Sequence, residues 1–126
     1  MAKVVHFEIP AADLKRAEKF YGEIFGWKIN KFPMGDGEYH MVQTVETDEK
    51  QMPKEPGAIN GGFVARSEVQ KAPVVVISVD SVEKYLKKVE QAGGKTVMPA
   101  RKSPVGIYAL FTDTEGNVTG LWQDLM

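Results

Sequence analysis

The sequence predicts an α+β fold of two βαβββ modules, forming a curved eight-stranded mixed sheet with the helices outside. Three observations predict it. Residues 4–29 read as strand, capped helix, glycine stop and strand. Residues 74–97 repeat that pattern at a constant offset of 68 residues without a gap, laying Gly26 on Gly94, Leu14 on Val82 and Ile9 on Ile77. Each unit is then followed by two more strand-like stretches. A repeat of this size decides the fold before any single element does.

In the first unit Val5, Phe7 and Ile9 alternate with His6 and Glu8, the period-2 pattern of a half-buried strand. Asp13 is placed to cap a helix whose apolar stripe is Leu14, Ala17, Phe20, Tyr21, Ile24 and Phe25. Gly26 suits the left-handed stop, and Trp27–Phe32 reads as the next strand. Residues 33–37 are a turn by composition. Tyr39–Val45 returns as a strand with Tyr39, Met41 and Gln43 on one face and His40 and Val42 on the other. A charged, proline-containing surface loop follows at 47–57. Ala58–Val64 is a strand whose Gly61-Gly62 pair implies a bulge, a bend or a close approach of another group.

After a polar linker at 66–72, Pro73 opens the second unit. Asp80 with Glu83 resembles a capping box. Val82, Tyr85, Leu86 and Val89 form the apolar stripe, and Gly93-Gly94 ends the helix. Ile107–Thr112 and Val118–Gln123 are strands joined by the turn 113–117, where Gly116 and Asn117 suit a positive φ. The whole is one domain over 1–126, with module one at 3–66 and module two at 72–124.

Composition excludes several function classes. The chain has 16 Lys and Arg against 17 Asp and Glu, scattered, so no basic footprint for nucleic acid stands out. Cysteine is absent, which removes disulfides, thiolate metal sites and a Cys nucleophile. No apolar run is long enough to span a membrane. The N-terminus enters a strand at once, leaving no room for a signal peptide, so the expected location is cytoplasmic. No nucleophile elbow or phosphate-binding glycine loop is present.

The features His6 to Asp13-Leu14, Phe20-Tyr21 with Gly26-Trp27, Val79-Asp80, Gly93-Gly94 and the turn Asp113-Thr114-Glu115-Gly116-Asn117 together resemble the vicinal oxygen chelate superfamily, the glyoxalase, bleomycin-resistance and extradiol-dioxygenase fold. The resemblance covers essentially the whole chain. It implies that metal-using members draw one ligand from each of four strands. His6, seven residues before Asp13, matches the first position. The other three offer Val74, Gly120, and Gly61 or Gly62, none with a donor side chain. Three or four donors must converge to hold a metal, so no metal and no cofactor are expected. His6, Glu8 and His40 have the composition of an iron-binding two-His, one-carboxylate set. His40, however, lies on the third strand, with the fourth between it and the first.

The expected function is therefore metal-free binding of a small organic molecule in the concave sheet. His6 and Glu8 are the acid/base or polar anchors. Gln43 and Asn60 are expected to orient polar ligand groups, Phe63, Val74, Val76 and Trp122 to line the pocket, and Tyr108 to donate a hydroxyl or close its mouth. The alternatives are a metal-dependent lyase, isomerase or dioxygenase related to lactoylglutathione lyase, and a non-catalytic interaction subunit. A homodimer is expected, because exposed sheet edges and an apolar end at Trp122, Leu125 and Met126 invite a partner.

Overall fold

The βαβββ order appears twice in the computed structural model, which describes residues 1–34 and 37–126. The elements are β1 (Lys3–Ala11), α1 (Leu14–Phe25), β2 (Lys28–Met34), β3 (Gly37–Gln43), β4 (Asn60–Ala65), β5 (Val74–Ser78), α2 (Val82–Gln91), β6 (Lys95–Lys102), β7 (Gly106–Thr112) and β8 (Val118–Asp124). The tip of the expected turn at 33–37 lies outside the described residues. Two compact units result: residues 6–73, and residues 74–126 together with 1–5.

In the unit of residues 6–73 the strand order is β2-β3-β4-β1. β1 and β4 are parallel, with His6 beside Asn60 and Glu8 beside Gly62. β3 runs antiparallel to both β2 and β4. Asp13 caps α1 by accepting from the Arg16 N–H at 3.0 Å, and Gly26 ends it at φ 72°. The helix meets the strands through aromatic rings. Tyr21 stacks on Trp27 at 5.0 Å and packs against Phe63 at 5.5 Å, and Phe7 lies 5.9 Å from Trp27. The expected apolar stripe is wider than the buried one. Leu14, Ala17 and Tyr21 are half-buried, whereas Phe20, Ile24 and Phe25 flank that strip and are 56%, 62% and 59% exposed.

The glycine pair of β4 reflects close approach, not a bulge, because its register with β1 is unbroken. A Cβ on Gly61 would stand 2.5 Å from the Phe7 carbonyl oxygen, and one on Gly62 would overlap the Tyr39 hydroxyl.

In the other unit the order is β5-β8-β7-β6. β5 pairs in parallel with β8, and β7 is antiparallel to β6 and β8. The core beneath α2 is Val79, Val82, Ala109 and Leu121, with Ile77, Leu86 and Phe111 packed against it. The cap of α2 corrects the expectation. Ser81, not Asp80, accepts from the Lys84 N–H at 3.2 Å. The cap falls one residue later because Ser81 is the last extended residue before the helix. Lys84 then holds the third helical position, so no carboxylate closes a capping box. Glu83 still lies in the first turn, where the helix dipole favours it. In the β7–β8 turn, Asp113 accepts from the N–H groups of Glu115 and Asn117, and these bonds hold its carboxyl below the usual carboxylate range. Gly116 alone there takes a positive φ, 83°. Among the described residues no helix is long and apolar enough to cross a membrane.

Candidate functional site

β1 sends alternate side chains to opposite faces. Phe7 goes to the helix side and packs on Trp27. His6 and Glu8 go to the other side, and the fold builds a polar relay around them. Glu8 is 4% exposed. Its Oε2 accepts from the Tyr39 hydroxyl at 2.8 Å and its Oε1 from Gln70 Nε2 at 2.8 Å. The Tyr39 oxygen also lies 2.8 Å from His6 Nε2. A carboxylate taken out of water needs such donors in place of hydration. Burial pushes the His6 imidazole below its ordinary pKa range, and the Glu8 charge opposes this without reversing it. His6 is then mainly neutral at pH 7.

Three elements position this relay. β1 supplies His6 and Glu8. β3 supplies Tyr39, whose ring crosses β4 in the space that Gly62 leaves empty. The segment between the modules supplies Gln70. Sequence reasoning missed two of the four residues. Tyr39 was legible in part, since strand parity puts it on the face of Gln43 and a paired glycine beside it leaves room for a ring. Gln70 sits in a polar linker with no periodicity, and no local signal marks it.

The other expected residues divide. Asn60 joins His6 on the same face, beside it in register. It is 7% exposed, and its Oδ1 accepts from the Thr44 and Val45 N–H groups at 2.8 and 3.2 Å and from Thr44 Oγ1 at 3.1 Å. Gln43 donates to Thr47 Oγ1 at 3.3 Å. Phe63 is a correction. It is 1% exposed and packs on Tyr21, so it belongs to the core beneath α1 and lines no open face. Its strand parity is opposite to that of Asn60 and Gly62. In the second unit Val74 and Val76 are 2% exposed. A Cβ on Gly120 would touch Val76 and Tyr108, and one on Gly106 would overlap the Trp122 ring. These residues share the face away from α2, since Leu121 faces the helix core. A depression of about 310 Å³ near the start of α2, lined by Met1, Ala2, Ser78, Val79, Asp80 and Tyr85, includes none of the expected site residues.

The donor set does not fit the superfamily's metal. Val74 and Gly120 bring no donor atom, and the place of a side chain on Gly62 is filled by Tyr39. His40 cannot complete an iron triad. Its Nδ1 meets Glu18 Oε1 of α1 at 2.5 Å, on the face opposite His6. Among the described residues no group of three or more His, Cys, Asp or Glu side chains converges.

Comparison with known proteins agrees with this architecture. The bleomycin resistance protein-like N-terminal family matches residues 3–44. A Mycobacterium tuberculosis protein given the name glyoxylase CFP32 is 33% identical over 122 residues, 92% of this chain and 43% of its own length. The chain thus spans less than half of that relative. A glyoxylase-like domain-containing protein of Didymella fabae is 32% identical over 87% of this chain and 84% of its own length. Among solved structures, methylmalonyl-CoA epimerase of M. tuberculosis is similar in fold, with a TM-score of 0.66 at 15% identity over 98% of this chain and 88% of the other. The Streptomyces coelicolor methylmalonyl-CoA epimerase, in complex with 2-nitronate-propionyl-CoA, gives a TM-score of 0.67 at 12% identity over 98% of both chains. By fold and by relatives, the chain belongs to the vicinal oxygen chelate superfamily, among its glyoxylase-like members.

Proposed function

We propose that this protein binds a small organic molecule on the open sheet face of residues 6–73, with His6 and Glu8 as polar anchors and without a metal. One observation carries the reading. The positions of His6 and Glu8 recur in the second module as Val74 and Val76, both buried. The fold therefore does not require polar groups there. A buried carboxylate with two neutral donors and an imidazole costs desolvation, and a purely structural role is served by valine in the same molecule. The epimerase of similar fold is bound to a CoA ester derivative, which supports a sheet face able to receive organic ligands. Gln43, on the strand face of Tyr39 and Met41, offers a further polar contact. The protein acts in this reading in the cytoplasm and as a homodimer, the contact covering exposed apolar side chains such as Leu125, 41% exposed.

A thermal-shift screen with aromatic, glycopeptide and thiol-adduct compounds tests the binding, since a ligand of the native state alone raises Tm by mass action. The expected result is a concentration-dependent rise that Glu8→Gln reduces. A flat response to every compound overturns the reading. Elemental analysis showing stoichiometric metal would overturn its metal-free part. A light-scattering mass near 14.0 kDa would overturn the dimer.

A further inference from the structure

Asn60 leaves half of its amide unused. Two of the three donors to its Oδ1 are backbone N–H groups of Thr44 and Val45. Such groups only donate, so the amide cannot be flipped: oxygen faces the chain at 44–45, and nitrogen faces away. Nδ2 carries two hydrogens and is buried with no hydrogen-bond partner. Among the described residues it is the only buried side-chain nitrogen or oxygen in that condition. Folded proteins rarely leave a buried donor unpaired, and where they do the group calls for an explanation such as a functional role or a bound acceptor.

The neighbour on the same face is His6, the register partner of Asn60 on a parallel strand, about 4.8 Å away across the sheet. Its tautomer follows from the relay. The Tyr39 hydroxyl hydrogen goes to Glu8, so the Tyr39 oxygen takes the hydrogen of His6 Nε2. Nδ1 therefore carries the lone pair. Among the described residues it makes no hydrogen bond, and it keeps some exposed surface, since there the fully buried unpaired side-chain atom is Asn60 Nδ2.

We propose that Asn60 Nδ2 and His6 Nδ1 form a matched donor and acceptor that recognise a ligand carrying a carbonyl oxygen beside an N–H, as in a lactam or a carboxamide. The inference rests on the small-molecule reading above and names its ligand class. The carbonyl oxygen accepts from Asn60 and the ligand N–H donates to His6. Glu8 anchors the ligand in this scheme through Tyr39 and His6 and not by direct contact: with both its oxygens already engaged, it holds His6 in the tautomer that accepts.

The test is an NMR titration of the full ¹⁵N-labelled chain with three probes: 2-pyrrolidinone, N-methyl-2-pyrrolidinone and toluene. Before any addition, His6 is expected to show a protonated Nε2 and an unprotonated Nδ1. 2-Pyrrolidinone is expected to shift the Asn60 side-chain amide and the His6 Nδ1 resonances together. N-methyl-2-pyrrolidinone, which lacks the N–H, is expected to bind about 10-fold more weakly, the scale of one hydrogen bond. Asn60→Asp keeps an oxygen for Thr44 and Val45 but has no donor, and is expected to weaken 2-pyrrolidinone by a similar factor with the backbone spectrum retained. The opposite His6 tautomer, or equal binding of the two lactams, overturns the proposal. If toluene shifts the face while the lactams do not differ, the donor–acceptor pair is wrong and the small-molecule reading stands. If none of the three probes shifts it, both fall.

Discussion

The two modules share a backbone plan and differ in what they place on the sheet face away from the helix. Beneath the helices they are alike in kind: Tyr21, Trp27 and Phe63 in the first, Val82, Ala109 and Leu121 in the second. On the other face they diverge. Glu8 lies beside Gly62 on the parallel partner strand, and Val76 lies in the same register beside Gly120. One module surrounds its glycine with the Glu8 carboxylate, Met41 and the Tyr39 phenol. The other surrounds it with Val76, Leu110 and Tyr108. The lesson is a division of labour. Helix-facing residues specify the module, and the opposite face is left free to carry chemistry.

The division is most easily broken through the cores. Phe63→Ala is expected to destabilise by about 3–5 kcal/mol and Leu121→Ala by about 2–5 kcal/mol in denaturant titrations. A loss below about 1 kcal/mol at either site would mean that the helix face is not what holds that module. The relay is expected to matter less. Tyr39→Phe removes the hydroxyl shared by His6 and Glu8 and should cost about 1–3 kcal/mol. An unchanged denaturation midpoint would show the relay to be incidental.

The relay also gives a pH dependence that the valine-bearing module lacks. His6 is held below its ordinary pKa in the fold by burial, whereas in the unfolded chain it titrates near 6.5. Below that pH the unfolded state binds the proton more readily. Stability is therefore expected to be independent of this group above about pH 6.5 and to fall as pH drops from there through the folded pKa. His6→Gln should flatten that part of the profile, and an identical slope in the variant would remove His6 as its source. The helix caps should differ least between modules. Asp13→Ala and Ser81→Ala are each expected to cost about 1 kcal/mol, and a cap loss equal to a core loss would upset the ranking.

Much of this fold was legible because it rests on local, repeated signals. Strand parity put His6 and Glu8 opposite the helix, and the constant offset found the second module. The failures have physical causes. Phe63 is misplaced in the pocket because an aromatic on a strand beside glycines suits either face, and only the register with Ile9 and His40 decides it. The cap expected at Asp80 falls on Ser81 because both are capping residue types and the sequence does not say which is the last extended one. The stripe of α1 was drawn too wide because apolar periodicity does not show how much of it the strands cover. Gln70 is beyond local reasoning altogether, since its partner lies 62 residues away.

The empty side-chain position at Gly62 bears on the history open to this chain. Any residue larger than glycine there meets the Tyr39 ring. A carboxylate restored to that strand by a single substitution would therefore have to evict the tyrosine, and with it the hydroxyl that satisfies Glu8. Regaining a ligand at that position takes at least two coordinated changes, the first of them harmful on its own. The glycine thus couples two positions: a side chain at 62 and the phenol of Tyr39 exclude one another, so neither can be changed toward a donor without the other.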